Sequence, residues 1–423
     1  MHDDQHGTAV VLLAALTNAL KVVGKRMEDI RIVVNGLGAA GTACCRILLA
    51  AGACHLVGCD KEGIVLMGEA EELRACRSDL QACIRRDQPR GTLHGALRGA
   101  DVFIGLSVGG TLSVGGIGGQ AFRHGLQVDN VIELEVVTGK GQLVTCSAHH
   151  NRDLFDAARA GLGQFGIIVR ARLRLVDVPS HARTYTAVYD ELALMADDQR
   201  AAVASGDFDY VEGSAFFGAT GWQYQIELVR YFDPAAPPDD AALLADLHAL
   251  PGTTVINDSS YFDFTNRLAP TLAFLESVGA LALPHPWMDL FVPGSAVVPY
   301  VESVLAQLTP ADTGNGPVLI YPFRRAALTT PFLRVPAEEE IFLFAVLRFT
   351  VPPIPPVIDA QNAQNRAFCE ANMALGGKLY PIDSFPFSHA DWEAHFGARW
   401  SDFEDAKEAF DPDHVLTPGQ GIF

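Results

Sequence analysis

Apolar residues recur at helical spacing from Gly7 to Val23 and stop at Gly24, which predicts a helix over that stretch. Ile30-Arg31-Ile32-Val33-Val34 is then a short β-branched run, read as a buried strand. It enters a glycine turn, Gly36-Leu37-Gly38-Ala39-Ala40-Gly41, and a second helix that reaches Ala50. His55 to Cys59 predicts another strand, ending at Asp60. Strand, turn, helix and strand in this order form a βαβ unit, for which a right-handed crossover is nearly obligatory. Residues 68–88 read as a charged helix, and Asp101 to Leu106 as a further buried strand.

Beyond this point the pattern changes. Seven glycines fall in the fifteen positions from Gly105 to Gly119, a density that predicts no helix, since each interior glycine costs about 1 kcal/mol against alanine. The period then becomes two. Ile132, Leu134 and Val136 alternate with Glu133 and Glu135, Thr138-Gly139-Lys140-Gly141 reads as a hairpin turn, and Val169, Ala171, Leu173 and Leu175 alternate with Arg170, Arg172 and Arg174. A loop is expected over 234–240 and a proline-rich break over 351–356. A doubly wound α/β piece is followed by antiparallel α+β structure.

Composition narrows the classes. At 423 residues and 49% hydrophobic the chain can bury substantial cores, and its 31 basic against 50 acidic residues give a net charge of −19. Such a chain repels phosphates at long range, so neither nucleic acid nor an anionic membrane is an expected partner. The Met1-His2-Asp3-Asp4 terminus lacks the basic flank of a signal peptide, and Ala9–Leu16 is too short to span a bilayer. Six of the eight cysteines (Cys44, Cys45, Cys54, Cys59, Cys76, Cys83) lie in one segment without zinc spacing, which suits reduced thiols in a cytoplasmic protein.

The glycine turn carries chemistry. Gly36 permits a tight turn, Gly38 lets backbone approach a pyrophosphate, Gly41 allows close helix–strand packing, and Asp60 can accept from a ribose hydroxyl. A plain packing turn is the other reading. His2 to Ala9, Ala19 to Lys25, Val33 to Gly41 and Ala100 to Gly105 together resemble the NAD(P)-binding domain of malic enzyme, over residues 2 to about 107. The resemblance implies NAD(P) as a ligand and Asp4 as the counterpart of a metal-ligating aspartate. The domain with that family's catalytic Tyr and Lys and its Glu-Asp metal ligands has no counterpart, and one carboxylate does not hold a divalent cation. Asp3 and Asp4 are therefore read as a charge pair at a helix N-terminus, and no metal site is expected.

The remainder resembles cytokinin dehydrogenase, a flavin enzyme of the vanillyl-alcohol-oxidase superfamily. Val136 to Gly141, Val144 to Ser147, Gly161 to Ile168, Tyr210 to Gly213, His285-Pro286-Trp287, Pro317 to Pro322, His395-Phe396-Gly397 and Leu416 to Phe423 carry the likeness in family order. It implies a fold in which an FAD domain of the PCMH type wraps a substrate domain. It also implies that Ser107, Ser113, Ile117 and Ile167 line the FAD phosphate and adenine side, that Tyr380 and Gln420 reach the isoalloxazine, and that Glu227 stands at the mouth of the substrate pocket. His285 to Trp287 is read as core packing rather than as a site.

The expected layout is a Rossmann-like segment over 1–107, the second half of the FAD domain over 108–178, an antiparallel substrate domain over 179–381 and a return segment over 382–423. Two departures stand out. The Gly-Arg-Gly-His motif that bonds FAD covalently in that family is absent, and the position of its catalytic aspartate is held by Val102, with Asp101 one residue away. An offset of one residue on a strand turns a side chain to the opposite face unless a bulge intervenes. The resemblance implies oxidation of the secondary amine of an N6-substituted adenine to an imine that hydrolyses to adenine and an aldehyde. A silent NAD(P)-binding protein and an inactive fusion product are the alternatives.

Overall fold

The structure is a computed structural model that describes residues 12–13, 16–17, 20, 24–37, 39–60, 63–68, 84, 91–105, 108–218, 221–382 and 385–423. Most of the helix expected over 7–23, most of the 68–88 helix, and Asp3, Asp4, Gly38 and Ser107 lie outside those residues.

The N-terminal β-branched run forms β1 (Arg31–Asn35), which pairs in parallel with β2 (His55–Asp60) across the helix Ala39–Ala50. β3 (Gly63–Gly68), which the sequence pattern did not suggest, returns antiparallel on β2, and β4 (Val102–Gly105) pairs in parallel on the other side of β1. The order is β3-β2-β1-β4. Ile32, Val33 and Val34 are buried completely, as expected of a strand covered on both faces.

The glycine-rich stretch does contain a helix, Val108–Val114, contrary to the expectation from glycine density. Tertiary contacts override propensity here. Leu112 is fully buried, its carbonyl accepts from Ala160 N–H at 2.9 Å, and Ser113 Oγ donates to Gly109 O at 2.9 Å. Gly115 and Gly116, both at positive φ, then end the helix.

β5 (Val131–Val137) is the centre of a three-stranded antiparallel sheet with β6 (Leu143–Ser147) and β7 (Ile167–Leu173). The Thr138–Gly141 turn connects β5 and β6 as expected, with Gly141 N–H donating to Thr138 O at 2.9 Å. The alternation is less regular than the sequence implies. A register shift between Val131 and Glu133 leaves Ile132 exposed, and β7 stops at Leu173, so Leu175 is also exposed.

The largest sheet has eight strands: β8 (His181–Tyr189), β9 (Tyr210–Gly218), β10 (Gly221–Phe232), β11 (Val255–Ser260), β12 (Met288–Pro293), β13 (Val318–Arg324), β14 (Glu340–Val346) and β15 (Lys378–Leu379). They pair antiparallel in the order β11-β8-β10-β9-β13-β14-β12-β15. The helix Leu192–Ser205 covers part of it, and its buried Gln199 donates to Ile320 O at 2.8 Å. Gly119 O accepts from Val211 N–H at 2.9 Å, which joins the glycine-rich loop to the start of β9.

The last segment folds back onto the three-stranded sheet's surroundings. Phe403 meets Phe165 edge-on at 4.6 Å and stacks on Phe396 at 4.0 Å and Phe423 at 5.5 Å. Lys407 and Asp411, both on or just past the helix Trp400–Phe410, form an ion pair that reaches Gln164.

Candidate active site

Two clefts carry the sequence-predicted residues. The first, about 530 Å³, is lined by Gly109, Gly110, Ser113, Ile167 and the 415–417 segment, together with Asp101 and Val102 of the β4 region. Its volume lies within the range of ligand sites. The packing behind the wall demands its glycines: a Cβ at Gly139 would strike the Asp411 carboxylate, and one at Gly166 the Val136 side chain. Six glycines of the lining (Gly109, Gly110, Gly139, Gly141, Gly163 and Gly166) bare main chain between apolar side chains such as Val137 and Ile168, and bare main chain is a surface on which phosphate groups can be held. These residues fit the phosphate-bearing half of a dinucleotide.

The C-terminal wall of that cleft is fixed from behind. Lys407 Nζ donates to Asp411 Oδ2 at 2.7 Å, Gln164 Oε1 at 3.0 Å and the carbonyls of Gln164 and Leu416, while Asp411 accepts from Val415 and Leu416 N–H, each at 3.0 Å. Gln164 Nε2 then donates to Gln420 Oε1 at 2.9 Å. Gln420 is exposed, with its oxygen occupied.

Tyr380 is buried and stacks on Phe291 at 4.7 Å. Its hydroxyl accepts from Gly116 N–H at 2.9 Å, so it braces the glycine-rich loop. Ile117, next along that loop, lines the second cleft of about 510 Å³ with Gly118, Gln120, His124, Tyr231 and Arg267. Ser113 and Ile167 thus share one cleft, Ile117 lines the other, and Tyr380 stands behind the loop between them.

Glu227 sits on β10, and its Oε1 is 3.3 Å from Arg267 Nε. Burial raises its carboxyl above the usual carboxylate range, and the Arg267 charge opposes that shift. Sequence reasoning missed two partners. Glu212 faces Glu227 directly in the β9–β10 ladder, and Arg267 is 3.5 Å from Glu212 Oε2. Glu212 lay within the quoted Tyr210–Gly213 motif, but nothing in the sequence signals that Arg267 joins it across 55 residues.

Val102, which the resemblance sets at the position of an aspartate, pairs with Ile32 in a β4–β1 register without a bulge. Asp101 is committed elsewhere, to Lys25 Nζ at 2.6 Å and Arg31 N–H at 2.9 Å, and the hydrogen bond from Lys25 holds its carboxyl below the ordinary range. His285 packs edge-on to Phe349 at 5.0 Å and to Trp287 at 5.6 Å.

In the N-terminal turn, Gly36 has φ +104°, and a Cβ at Gly41 would strike the Gly36 carbonyl. The Gly36 and Leu37 amides both donate to Cys59 O, at 2.8 and 3.3 Å, and Leu37 is buried. Those two amides serve the packing of the turn onto β2; Asp60 closes that strand. Among the described residues no cluster could hold a metal ion, and six free cysteines occur, five of them buried. No described helix is long and apolar enough to cross a membrane.

Comparison with known proteins places this geometry. Residues 219–423 match the family model "Cytokinin dehydrogenase 1, FAD and cytokinin binding", and residues 90–147 match "FAD binding domain". The chain is 38% identical over 372 residues to cytokinin dehydrogenase 5 of Oryza sativa subsp. japonica, covering 78% of this chain and 69% of that protein. The chain belongs to the cytokinin dehydrogenase family. It is also 40% identical over 320 residues to an uncharacterized oxidoreductase, ORF5 in the fasciation locus of Rhodococcoides fascians, covering 75% of this chain and 72% of that one.

Solved structures agree on the fold of this family member. Physcomitrella patens BBE-like 1 aligns with a TM-score of 0.53 at 15% identity, over 73% of this chain and 69% of that one. The VAO-type flavoprotein MtVAO615 of Myceliophthora thermophila aligns at 0.52 and 19%, over 73% and 59%. The FAD-binding match begins at residue 90, upstream of the junction expected near 107, so β4 falls inside it.

Proposed function

We propose that this chain holds FAD along the glycine-lined cleft and oxidises the secondary amine side chain of an N6-substituted adenine to an imine, which water cleaves to adenine and an aldehyde. The observation that supports the reading most is the sustained identity to a plant cytokinin dehydrogenase over 78% of the chain. FAD supplies the hydride acceptor when bound. Gly109 and Gly110, in the first turn of the helix Val108–Val114, would hold its phosphates through main-chain N–H groups, while the Ser113 hydroxyl, which donates to Gly109 O, lines the same cleft. Tyr380 holds the Gly116 amide and so fixes the loop. Gln164 occupies the Gln420 oxygen, which leaves the Gln420 amide hydrogens as donors toward a ring carbonyl. Glu227 accepts the proton of the substrate amine, since Val102 cannot and Asp101 is bound to Lys25.

An absorbance spectrum of the purified protein, followed by adenine formation from N6-isopentenyladenine with a dye as electron acceptor, tests this. A colourless preparation that gains no flavin band on FAD addition overturns it.

NAD(P) at the parallel β1–helix–β2 unit, with Asp60 at the end of β2, is the second reading, and the commitment of the Gly36 and Leu37 amides to Cys59 O counts against it. Calorimetric titration with NAD⁺ and NADP⁺ tests it; without heat from either, the segment is scaffold.

A further inference from the structure

Glu212 and Glu227 stand directly opposite each other on neighbouring strands, an arrangement that destabilises a sheet when both are charged and nothing intervenes. Side chains alternate along a strand, so Glu212 shares a face with Tyr210, and Glu227 with Tyr231. Tyr210, Tyr231 and Arg267 line the 510 Å³ cleft, so both carboxylates share the sheet face beneath it, next to its lining rather than in it.

Arg267, which follows the helix Tyr261–Thr265, resolves the conflict. Its Nε is 3.3 Å from Glu227 Oε1, and its Nη2 is 3.5 Å from Glu212 Oε2 and donates to the Tyr210 hydroxyl at 2.8 Å. Tyr210 in turn donates to Glu212. The guanidinium lies 4.4 Å from the Phe264 ring centroid and 5.0 Å from that of Tyr210. Held on one side by Tyr210, Glu212 and two rings, Arg267 has little freedom left, and its remaining edge meets Glu227.

We propose that Arg267 is a positioning residue for Glu227, with Tyr210 and Glu212 as the anchor that holds Arg267, so that a carboxylate of fixed orientation adjoins the cleft to meet the N–H of its ligand. This rests on the functional reading above for the identity of that ligand, but the clamp itself does not.

The titratable and charged groups around Glu227 are Glu212, Tyr210, Tyr231 and Arg267, with Arg123, His124, Asp177, Asp209 and Tyr261 on the cleft wall and Tyr321 of β13 within electrostatic reach of Glu212. Burial raises Tyr210, Tyr231 and Tyr321 above their ordinary value, which removes them from the neutral range. His124 is held below its ordinary value by burial, so a His124→Gln control separates its titration from that of the carboxylates.

The test compares the wild type with Arg267→Met, Arg267→Lys and Glu212→Gln. KM and kcat for N6-isopentenyladenine are measured against pH, and the Glu227 carboxyl is followed by infrared titration with Glu227→Gln as the subtraction reference. Arg267→Met is expected to raise KM about tenfold, with a smaller change in kcat, and to move the Glu227 titration to higher pH. Arg267→Lys restores part of the KM loss, and Glu212→Gln raises KM in the same direction by less. KM and titration curves of Glu212→Gln and Arg267→Met that superimpose on the wild type overturn the proposal, as does equal impairment in Lys and Met variants. Should Arg267→Met fail to fold, Glu212→Gln decides through KM. A wild type that turns over no N6-substituted adenine overturns the functional reading instead, and the infrared shift in Arg267→Met then decides the clamp alone.

Discussion

Lys407 and Asp411 form an ion pair at 2.7 Å in which neither side chain is more than 3% exposed. Both partners are further hydrogen-bonded, to Gln164 and to the 415–416 backbone, which offsets the penalty of removing two charges from water. Removing one partner strands the other. Lys407→Met is expected to destabilise the fold by about 3–5 kcal/mol, and the double variant Lys407→Met/Asp411→Leu by less than the single one. Urea unfolding of the three proteins checks this.

The glycine-rich loop offers a second test. A Cβ at Gly115, which has φ +137°, would lie 2.8 Å from Leu126 Cδ2 and 3.3 Å from the Tyr380 hydroxyl. Gly115→Ala is expected to cost about 2 kcal/mol through backbone strain and overpacking. It also displaces the tyrosine that braces Gly116, so the flavin-to-protein absorbance ratio should fall with stability.

His395 is buried with Lys378 and Arg334 nearby, and burial, reinforced by those charges, pulls its imidazole down to about 3 from 6.5. The sign follows from proton uptake: below about 6.5 the unfolded chain binds a proton that the folded one refuses. The contribution of neutral His395 is therefore complete above that value and lost as the pH falls toward 3. Thermal midpoints of the wild type should decline over this interval more steeply than those of His395→Gln.

Val102 lines the first cleft beside Asp101, whose carboxylate is already bound to Lys25 and Arg31. On the resemblance's assignment of the family's aspartate to this position, Val102→Asp supplies a proton acceptor. A rise of up to about a hundredfold in turnover of N6-isopentenyladenine is expected, and Asp101→Asn should leave the rate near that of the wild type. Steady-state rates of both variants check it.

Legibility of the sequence varied with the range of the interactions involved. The β1–helix–β2 unit and the Thr138–Gly141 turn were readable because local spacing and turn residues determine them. The helix Val108–Val114 was not, since it depends on Leu112 packing against a segment some fifty residues away. Ile132 was assigned inward because alternation assumes an unbroken register, and the shift beside it is a property of the β5–β7 pair rather than of either strand. Within the candidate site, Ser113, Ile117, Ile167, Tyr380, Gln420 and Glu227 came from motif likeness. Glu212 and Arg267 emerged only when the ladder set two carboxylates face to face.

The hydrogen bond from Val211 N–H to Gly119 O makes the loop after Ile117 one more rung of the eight-stranded ladder. That rung lies between Tyr210 and Glu212, the two residues that grip Arg267. Any outward movement of that loop breaks this hydrogen bond at the root of the carboxylate clamp, so the position of the loop and the grip on Arg267 are coupled through one backbone contact.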